Sequence, residues 1–160
     1  MPNHYTTIAI CSEGHDFDCA EFNDRHAKSN LCAIVKPMPE VLESVRVGAF
    51  PDGTRIKVEG TEMTEEQLCD QFGTSNWYDW ANSHWGTKWG TYDQEAFPLG
   101  GDGGPIAIKF QSAWEPPSVL KEIGQWLCRT YNFARVAFVG FEPYDNSTKL
   151  LLEVTANPVG

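Results

Sequence analysis

The sequence predicts an α+β fold, in which helices cover one face of an antiparallel sheet within a single domain spanning residues 1–160. Residues 135–141 (RVAFVGF) and 149–155 (KLLLEVT) are strongly apolar and predict two strands. In residues 106–113 (IAIKFQSA), apolar and polar side chains alternate, which predicts a third strand. Between these strands, residues 118–131 carry apolar side chains at helical spacing, which predicts a helix packed on the sheet.

The first strand is predicted at residues 5–11, where the letters YTTIAIC alternate. Ile8 and Ile10 share one face of this strand, while Thr7 and Ala9 share the other. Successive side chains of a strand point to opposite faces, so one of these two sets faces the core.

A polar helix is predicted at residues 16–28, with acidic residues at its start and basic residues at its end, as suits the helix dipole. A short apolar run at residues 31–35 follows. Pro37 and Pro39 prevent regular structure from continuing beyond it, because proline removes donors and restricts the preceding residue.

Residues at about 41–75 are predicted to form an α/β insertion on the core fold. Two short apolar segments flank Pro51-Asp52-Gly53, a turn sequence that favours a hairpin. Thr64 and Gln67 match a capping box, which predicts a helix ending at Gly73.

Four of the six tryptophans lie within thirteen residues, and they are Trp77, Trp80, Trp85 and Trp89. We predict a helix from Trp77 to His84, stopped by Gly86, and then a strand over about 88–97. We interpret the four rings as core rather than as a binding platform, because tryptophan buries a large area. Lys88 is interpreted as a solvated lysine, and a cation–π contact with a tryptophan is the alternative.

Without the insertion, the predicted elements follow the order β-α-β-β-α-β, which is ferredoxin-like, with one extra C-terminal strand paired to the last. Four glycines within residues 100–104 predict a mobile hairpin connection before the strand at 106–113.

The letters WYDWANSHWGTKW at residues 77–89 resemble the signature of the YubB-type ferredoxin-like family, small proteins carried by phages and plasmids. Residues 1–5 (MPNHY), 36–40 (KPMPE) and 113–117 (AWEPP) fit the same resemblance in the same order. The resemblance implies the ferredoxin-like fold and no established biochemical role.

The chain has 22 acidic and 12 basic residues, for a formal net charge of −10. Repulsion from phosphates argues against nucleic-acid binding without a partner. The acidity fits either a host protein with a basic surface as the partner or a chain that is merely kept soluble by its charge. Between Lys57 and Lys88 there is no lysine or arginine, and we call this region the acid-only stretch. Its predicted partner-binding residues are Glu59, Glu62, Glu65, Glu66 and Asp70. Glu62, Glu65 and Glu66 share one side of a helix if the helix starts that early.

The compartment is predicted from cysteines and apolar runs. The five cysteines are odd in number and match no disulfide framework, which indicates reduced thiols. No apolar run reaches the length of a membrane span, and the N-terminus shows no signal peptide. We therefore expect a protein of the bacterial host's cytoplasm with no membrane partner.

The chain contains candidate residues for a metal site and for nucleophilic catalysis, but neither set matches a recognised motif. Possible zinc ligands lie within 22 residues, and they are Cys11, His15, Cys19, His26 and Cys32. Their spacing matches no known zinc finger, so we expect no metal and no cofactor. Cys69, His84 and Asp79 are the residue types of a nucleophilic triad, but no local signature joins them, and we assign no catalytic residue.

The predicted function is that of a small acidic phage or plasmid accessory protein that binds and occludes a host protein, for example as an inhibitor of a host defence system. The alternative is a nucleic-acid-binding or processing protein that uses the tryptophan cluster. A small hydrolase or metal enzyme is the second alternative. An acidic face beside an apolar patch favours a protein partner, exposed tryptophans among basic residues favour nucleic acid, and a pocket holding a histidine, a cysteine and an acid favours an enzyme.

Overall fold

The computed structural model describes residues 4–12, 17–44, 46–49, 56–59, 63–100, 104–141 and 147–156. These residues form an α+β fold with a five-stranded antiparallel sheet and a separate two-stranded sheet. The α+β class and the antiparallel sheet that the sequence predicts are therefore confirmed.

The strands are β1 (His4–Ser12), β2 (Arg46–Ala49), β3 (Ile56–Glu59), β4 (Tyr92–Pro98), β5 (Ile106–Ala113), β6 (Arg135–Phe141) and β7 (Thr148–Thr155). The helices are α1 (Cys19–His26), α2 (Leu31–Val35), α3 (Glu40–Ser44), α4 (Glu65–Phe72), α5 (Trp77–His84) and α6 (Leu120–Tyr131). None of the helices in the described ranges is both long enough and apolar enough to cross a bilayer.

The large sheet has the order β4-β5-β1-β6-β7, and each neighbouring pair is antiparallel. The C-terminal strand β7 pairs with β6, as predicted. Strands β2 and β3 form the predicted hairpin, and its Pro51-Asp52-Gly53 turn lies outside the described residues.

The two faces of the large sheet differ in what covers them. On β1 the buried residues are Tyr5, Thr7, Ala9 and Cys11, and we call their side the inner face. Helix α6 packs on this face as predicted, with Gly124 so close to Val154 and Phe138 that a Cβ there would contact both. Ile8 and Ile10 lie on the opposite side, which we call the outer face.

The prediction of a strand from residue 88 was wrong, since β4 begins at Tyr92. Gly90 adopts a left-handed backbone with φ of 72°, which interrupts an extended chain. The Asn30 side chain packs directly against Gly90, where a Cβ would collide with it. A long-range contact therefore turns residues 86–91 into a loop.

Side-chain caps set several helix boundaries. The Asp18 carboxylate accepts a hydrogen bond from the Glu21 N–H at 3.1 Å, so α1 begins at Cys19 rather than at residue 16. The predicted capping box of Thr64 and Gln67 is confirmed at α4, and Gly73 ends that helix in a left-handed conformation. Helix α5 has the predicted bounds.

Candidate functional site

The tryptophan-rich stretch divides between core and surface. Trp80 and Trp85 are each 5% exposed, which confirms the prediction that they belong to the core. The same prediction was wrong for Trp77 and Trp89, which are 36% and 43% exposed. One short segment therefore places two rings in the core and two at the surface.

The N-terminus of α5 explains the position of Trp77. The Asn76 carboxamide accepts a hydrogen bond from the Asp79 N–H at 2.8 Å and caps the helix. Trp77 is the first helical residue and reaches solvent, whereas Trp80, one turn later, packs inward.

A surface pocket of about 300 Å³ lies between the exposed and the buried rings. Its lining consists of Met38, Glu43, Trp77, Trp85, Lys88 and Trp89. We call it the tryptophan pocket. Sequence reasoning had named its three tryptophans and Lys88, but it had not singled out Met38 or Glu43.

Trp85 forms a rigid wall of this pocket. Its indole N–H donates a hydrogen bond to the Lys36 carbonyl at 2.8 Å. Its ring meets Trp80 edge to face, with centroids 5.3 Å apart and planes at 89°. The Trp85 carbonyl in turn accepts from the Ser118 N–H at 2.7 Å. The buried polar groups of Trp85 are thus paired, and its ring orientation is fixed.

The loop of residues 86–91 contributes Lys88 and Trp89 to the lining of the pocket. Lys88 Nζ lies 4.0 Å from the centroid of the Trp89 ring, a cation–π contact that replaces the expected solvated lysine. Asn30 holds the loop, because its amide donates to the Trp89 carbonyl at 3.2 Å and accepts from the Thr91 N–H at 3.0 Å.

Asn30 also caps α2, since its side-chain oxygen accepts from the Cys32 N–H at 3.0 Å. One side chain therefore joins the start of a helix to the loop that presents Trp89. Sequence reasoning missed this role. The available signal was an asparagine directly before the apolar run 31–35, a position typical of a helix N-cap.

Trp114 is a further exposed aromatic residue, with 54% of its surface accessible. Its φ is +70°, which is uncommon for a bulky side chain. The Ser112 hydroxyl donates to the Glu115 carbonyl at 2.5 Å, and the Glu115 N–H donates to the Ala113 carbonyl at 2.8 Å. These bonds hold the tight turn in which Trp114 lies.

A second link places Trp114 beside the loop of the tryptophan pocket. The Thr87 hydroxyl donates to the Ala113 carbonyl and accepts from the Ala113 N–H, both at 3.2 Å. Trp114 directly follows Ala113 in the chain, and Lys88 directly follows Thr87. Exposed aromatic residues therefore come from two separate segments at the same end of the molecule.

The acid-only stretch does not line the tryptophan pocket. Glu65, Glu66 and Asp70 lie on α4, and Asp70 contributes to a separate shallow depression there. Because Thr64 caps the helix, α4 does not start early enough to include Glu62. Glu62 lies outside the described residues, and Glu59 is the last residue of β3.

The cysteines and histidines proposed as metal ligands do not converge in the described part of the chain, where no group of three candidate ligands is found. Burial raises the pKa of the Cys32 thiol to about 12 and moves that of Cys11 higher still, so both are protonated at neutral pH. Burial also raises the pKa of Cys19, and the neighbouring Asp18 adds to this. His15 lies outside the described residues.

The hypothetical triad is also not assembled. Asp79 accepts a hydrogen bond from the Asn76 amide at 3.0 Å. His84 Nδ1 donates to the Trp80 carbonyl at 3.0 Å, and its ring stacks on Trp80. Both groups are therefore engaged within α5, while Cys69 is exposed on α4.

Comparison with family models, with curated proteins and with solved structures finds no match to this chain. Function is therefore inferred from the residues and their geometry.

Proposed function

We propose that this chain is a binding protein that holds a segment of a partner protein in the tryptophan pocket and so occludes the partner's surface. The observation that carries the proposal is the exposure of Trp77 and Trp89 at a pocket whose inner wall, Trp85, is fixed by hydrogen bonds. Preformed, mostly apolar pockets of this kind are typical of binding sites.

The exposed rings supply the binding energy in this proposal. Burying what remains accessible of each ring would remove roughly 60–100 Å² from water and contribute about 2 kcal/mol. Tryptophan and methionine are enriched at the centres of protein interfaces, and tryptophan is a frequent hot spot. Trp77, Trp89 and Met38 fit this composition.

The polar groups of the lining suit a polypeptide. The Lys88 ammonium group can donate to a backbone carbonyl, and the Glu43 carboxylate can accept from a backbone N–H. A peptide that inserts an apolar side chain among the indole rings would then form backbone hydrogen bonds with Lys88 and Glu43. The carboxylate of Glu43 would also repel a nucleic-acid phosphate, so we do not favour a nucleic-acid ligand.

The negative charge of this chain favours basic residues on either side of the inserted side chain. The formal net charge is −10, and Glu65, Glu66 and Asp70 lie on the helix that precedes α5. Such a field attracts lysine and arginine, and it acts mainly on the rate of association. The proposed ligand is therefore an apolar side chain flanked by basic residues on the surface of a host protein.

The biological setting is part of the same proposal. The resemblance of residues 77–89 to a phage- and plasmid-borne family supports an accessory protein of a mobile element, with inhibition of a host defence system as one such role. The free thiols of Cys11, Cys32 and Cys128 support a cytoplasmic location.

For the fold, we propose an elaborated ferredoxin-like domain. In chain order β1, α1, β4, β5, α6 and β6 follow the β-α-β-β-α-β pattern, which supports the proposal. Two additions distinguish this chain from the four-stranded arrangement. Strand β7 is added to the sheet beside β6, and the elements from α2 to α5 are inserted before β4.

Peptide selection tests the proposed function. A random peptide library would be selected on the immobilised protein, and the recovered peptides would be measured against a Trp77→Ala/Trp89→Ala variant. Tyr78→Ala is the matched control, because Tyr78 is an exposed aromatic residue of the same helix that does not line the pocket.

We expect the selected peptides to carry an apolar residue flanked by lysine or arginine. They should bind the Tyr78 variant like the wild type and bind the double variant at least about tenfold more weakly, a loss of about 1.4 kcal/mol or more. Peptides that bind the double variant as tightly as the wild type would place the binding surface elsewhere. Affinity purification with the same three proteins then identifies the host partner.

A further inference from the structure

The outer face of the five-stranded sheet is not covered by a helix in the described part of the chain. Helix α1 packs beside β4, and α6 packs on β6 and β7 from the inner side. The register places Ile8, Ile10, Ala137 and Val139, all partly accessible, at the centre of the outer face beside the fully buried Ala107. Phe97 extends this group on β4, where it is paired with Ala107.

The middle of β1 places apolar side chains on the outer face, where Thr6 and Ser12 nearer the two ends of the strand are polar. Thr7 and Ala9 point into the core, while Ile8 and Ile10 point away from it. An antiparallel sheet with one face in water usually places polar residues on that face. Two isoleucines on the outer side, together with Val139, therefore indicate that this face is covered by a partner.

The charges on the outer face are balanced. Among the strand residues that the structure describes, the charged side chains on this face are by register Glu95, Lys109, Arg135 and Glu153. Glu95 lies directly opposite Lys109, and Arg135 lies 3.7 Å from Glu153. In a chain with a formal net charge of −10, a neutral face is where two copies can meet with little repulsion. A face for nucleic acid would instead carry excess positive charge.

The size of the face is sufficient for such a contact. Five strands spaced by about 4.8 Å, each about seven residues long, give a face of roughly 24 Å by 24 Å. Two such faces in contact would remove roughly 1,200 Å² from water, the lower end of the range for specific interfaces.

We infer that the outer face is an interface through which two copies of this chain associate, with their sheets packed face to face. The apolar centre supplies the contact energy, and the balanced charges allow a self-complementary rim. This inference is independent of the tryptophan pocket and of the function proposed for it.

Sedimentation velocity over a concentration series tests the inference. The wild-type chain should pass from monomer to dimer. Lys109→Glu makes the face negatively charged, so it should raise the dimer dissociation constant by about tenfold or more, with recovery at high salt. Lys121→Glu, an exposed position on α6, changes the net charge equally and should leave the dimer intact.

A second pair of variants tests the apolar centre. Ile8→Thr/Ile10→Thr keeps β-branched side chains in the strand but removes apolar surface, and it should be monomeric. Ile34→Thr, at an exposed site on α2, should dimerise like the wild type. A wild-type chain that stays monomeric at every concentration would overturn the inference and point to a different protein on this face. A dimer equally stable in the Lys109 and Lys121 variants would overturn it as well.

Discussion

The side chain of Asn23 pairs with the backbone of Ala96 as a neighbouring strand would. The Ala96 N–H donates to Asn23 Oδ1 at 2.6 Å, and Asn23 Nδ2 donates to the Ala96 carbonyl at 3.0 Å. Ala96 lies on β4, an edge strand of the sheet. Through this pair α1 covers backbone groups that would otherwise be free to pair with another chain.

Asn23→Ala should therefore lower the free energy of unfolding by about 1–3 kcal/mol, because two buried backbone groups of Ala96 lose their partners. Asn82→Ala is the control, since Asn82 also bonds a carbonyl, that of Tyr78, but at an exposed site. Chemical denaturation of both variants measures the difference. Equal effects would show that the pairing at Ala96 contributes nothing to stability.

Tryptophan replacements should separate core from surface within one segment. Trp80→Ala should cost about 3–5 kcal/mol, because it leaves a cavity beneath α5. Trp77→Ala should cost about 1 kcal/mol or less, since its ring already contacts solvent. Urea melts followed by circular dichroism give both values. A Trp77 variant as unstable as the Trp80 variant would make Trp77 a packing residue rather than a binding residue.

The backbone at Trp114 should prefer glycine. At φ of +70° a residue with a Cβ is strained by about 1–2 kcal/mol, so Trp114→Gly should be about 1 kcal/mol more stable than Trp114→Ala. Both variants lose the same indole ring, which isolates the backbone term. At Asn82, within α5, the order should reverse and alanine should be the more stable by about 1 kcal/mol. Alanine favoured at both positions would rule out strain at Trp114.

His26 should make stability depend on pH. Burial lowers the pKa of its imidazole, Arg25 lowers it further, and Glu21 opposes them. The unfolded chain therefore takes up a proton at a higher pH than the folded chain does. Stability should fall as the pH drops below about 6.5 towards the lower pKa of the folded state.

A His26→Gln variant removes this term, so its free energy of unfolding should change less than that of the wild type as the pH is lowered through this range. His84→Gln serves as the control on another helix. Denaturation at a series of pH values provides the comparison. Identical pH profiles for the wild type and the His26 variant would mean that His26 has the same pKa in both states.

Local signals in the sequence determined the ends of α4 and α5. The capping box at Thr64 and Gln67, and the stop after α5 at Gly86, were predicted correctly. These features depend on hydrogen bonds and backbone conformations among residues close in the chain, so a short window of sequence contains the necessary information.

The tertiary structure decided which faces are buried. Alternation on β1 showed two sets of side chains, but the helix packed against the sheet made the Thr7 and Ala9 side the core and left Ile8 and Ile10 outside. Likewise, the contact of Asn30 with the loop at Gly90 makes β4 begin at Tyr92 rather than at residue 88, and it places Trp89 at the surface. The sequence alone determined the periodicity of each element, because periodicity is local. Only the tertiary structure could decide burial, because burial depends on partners that are distant in the chain.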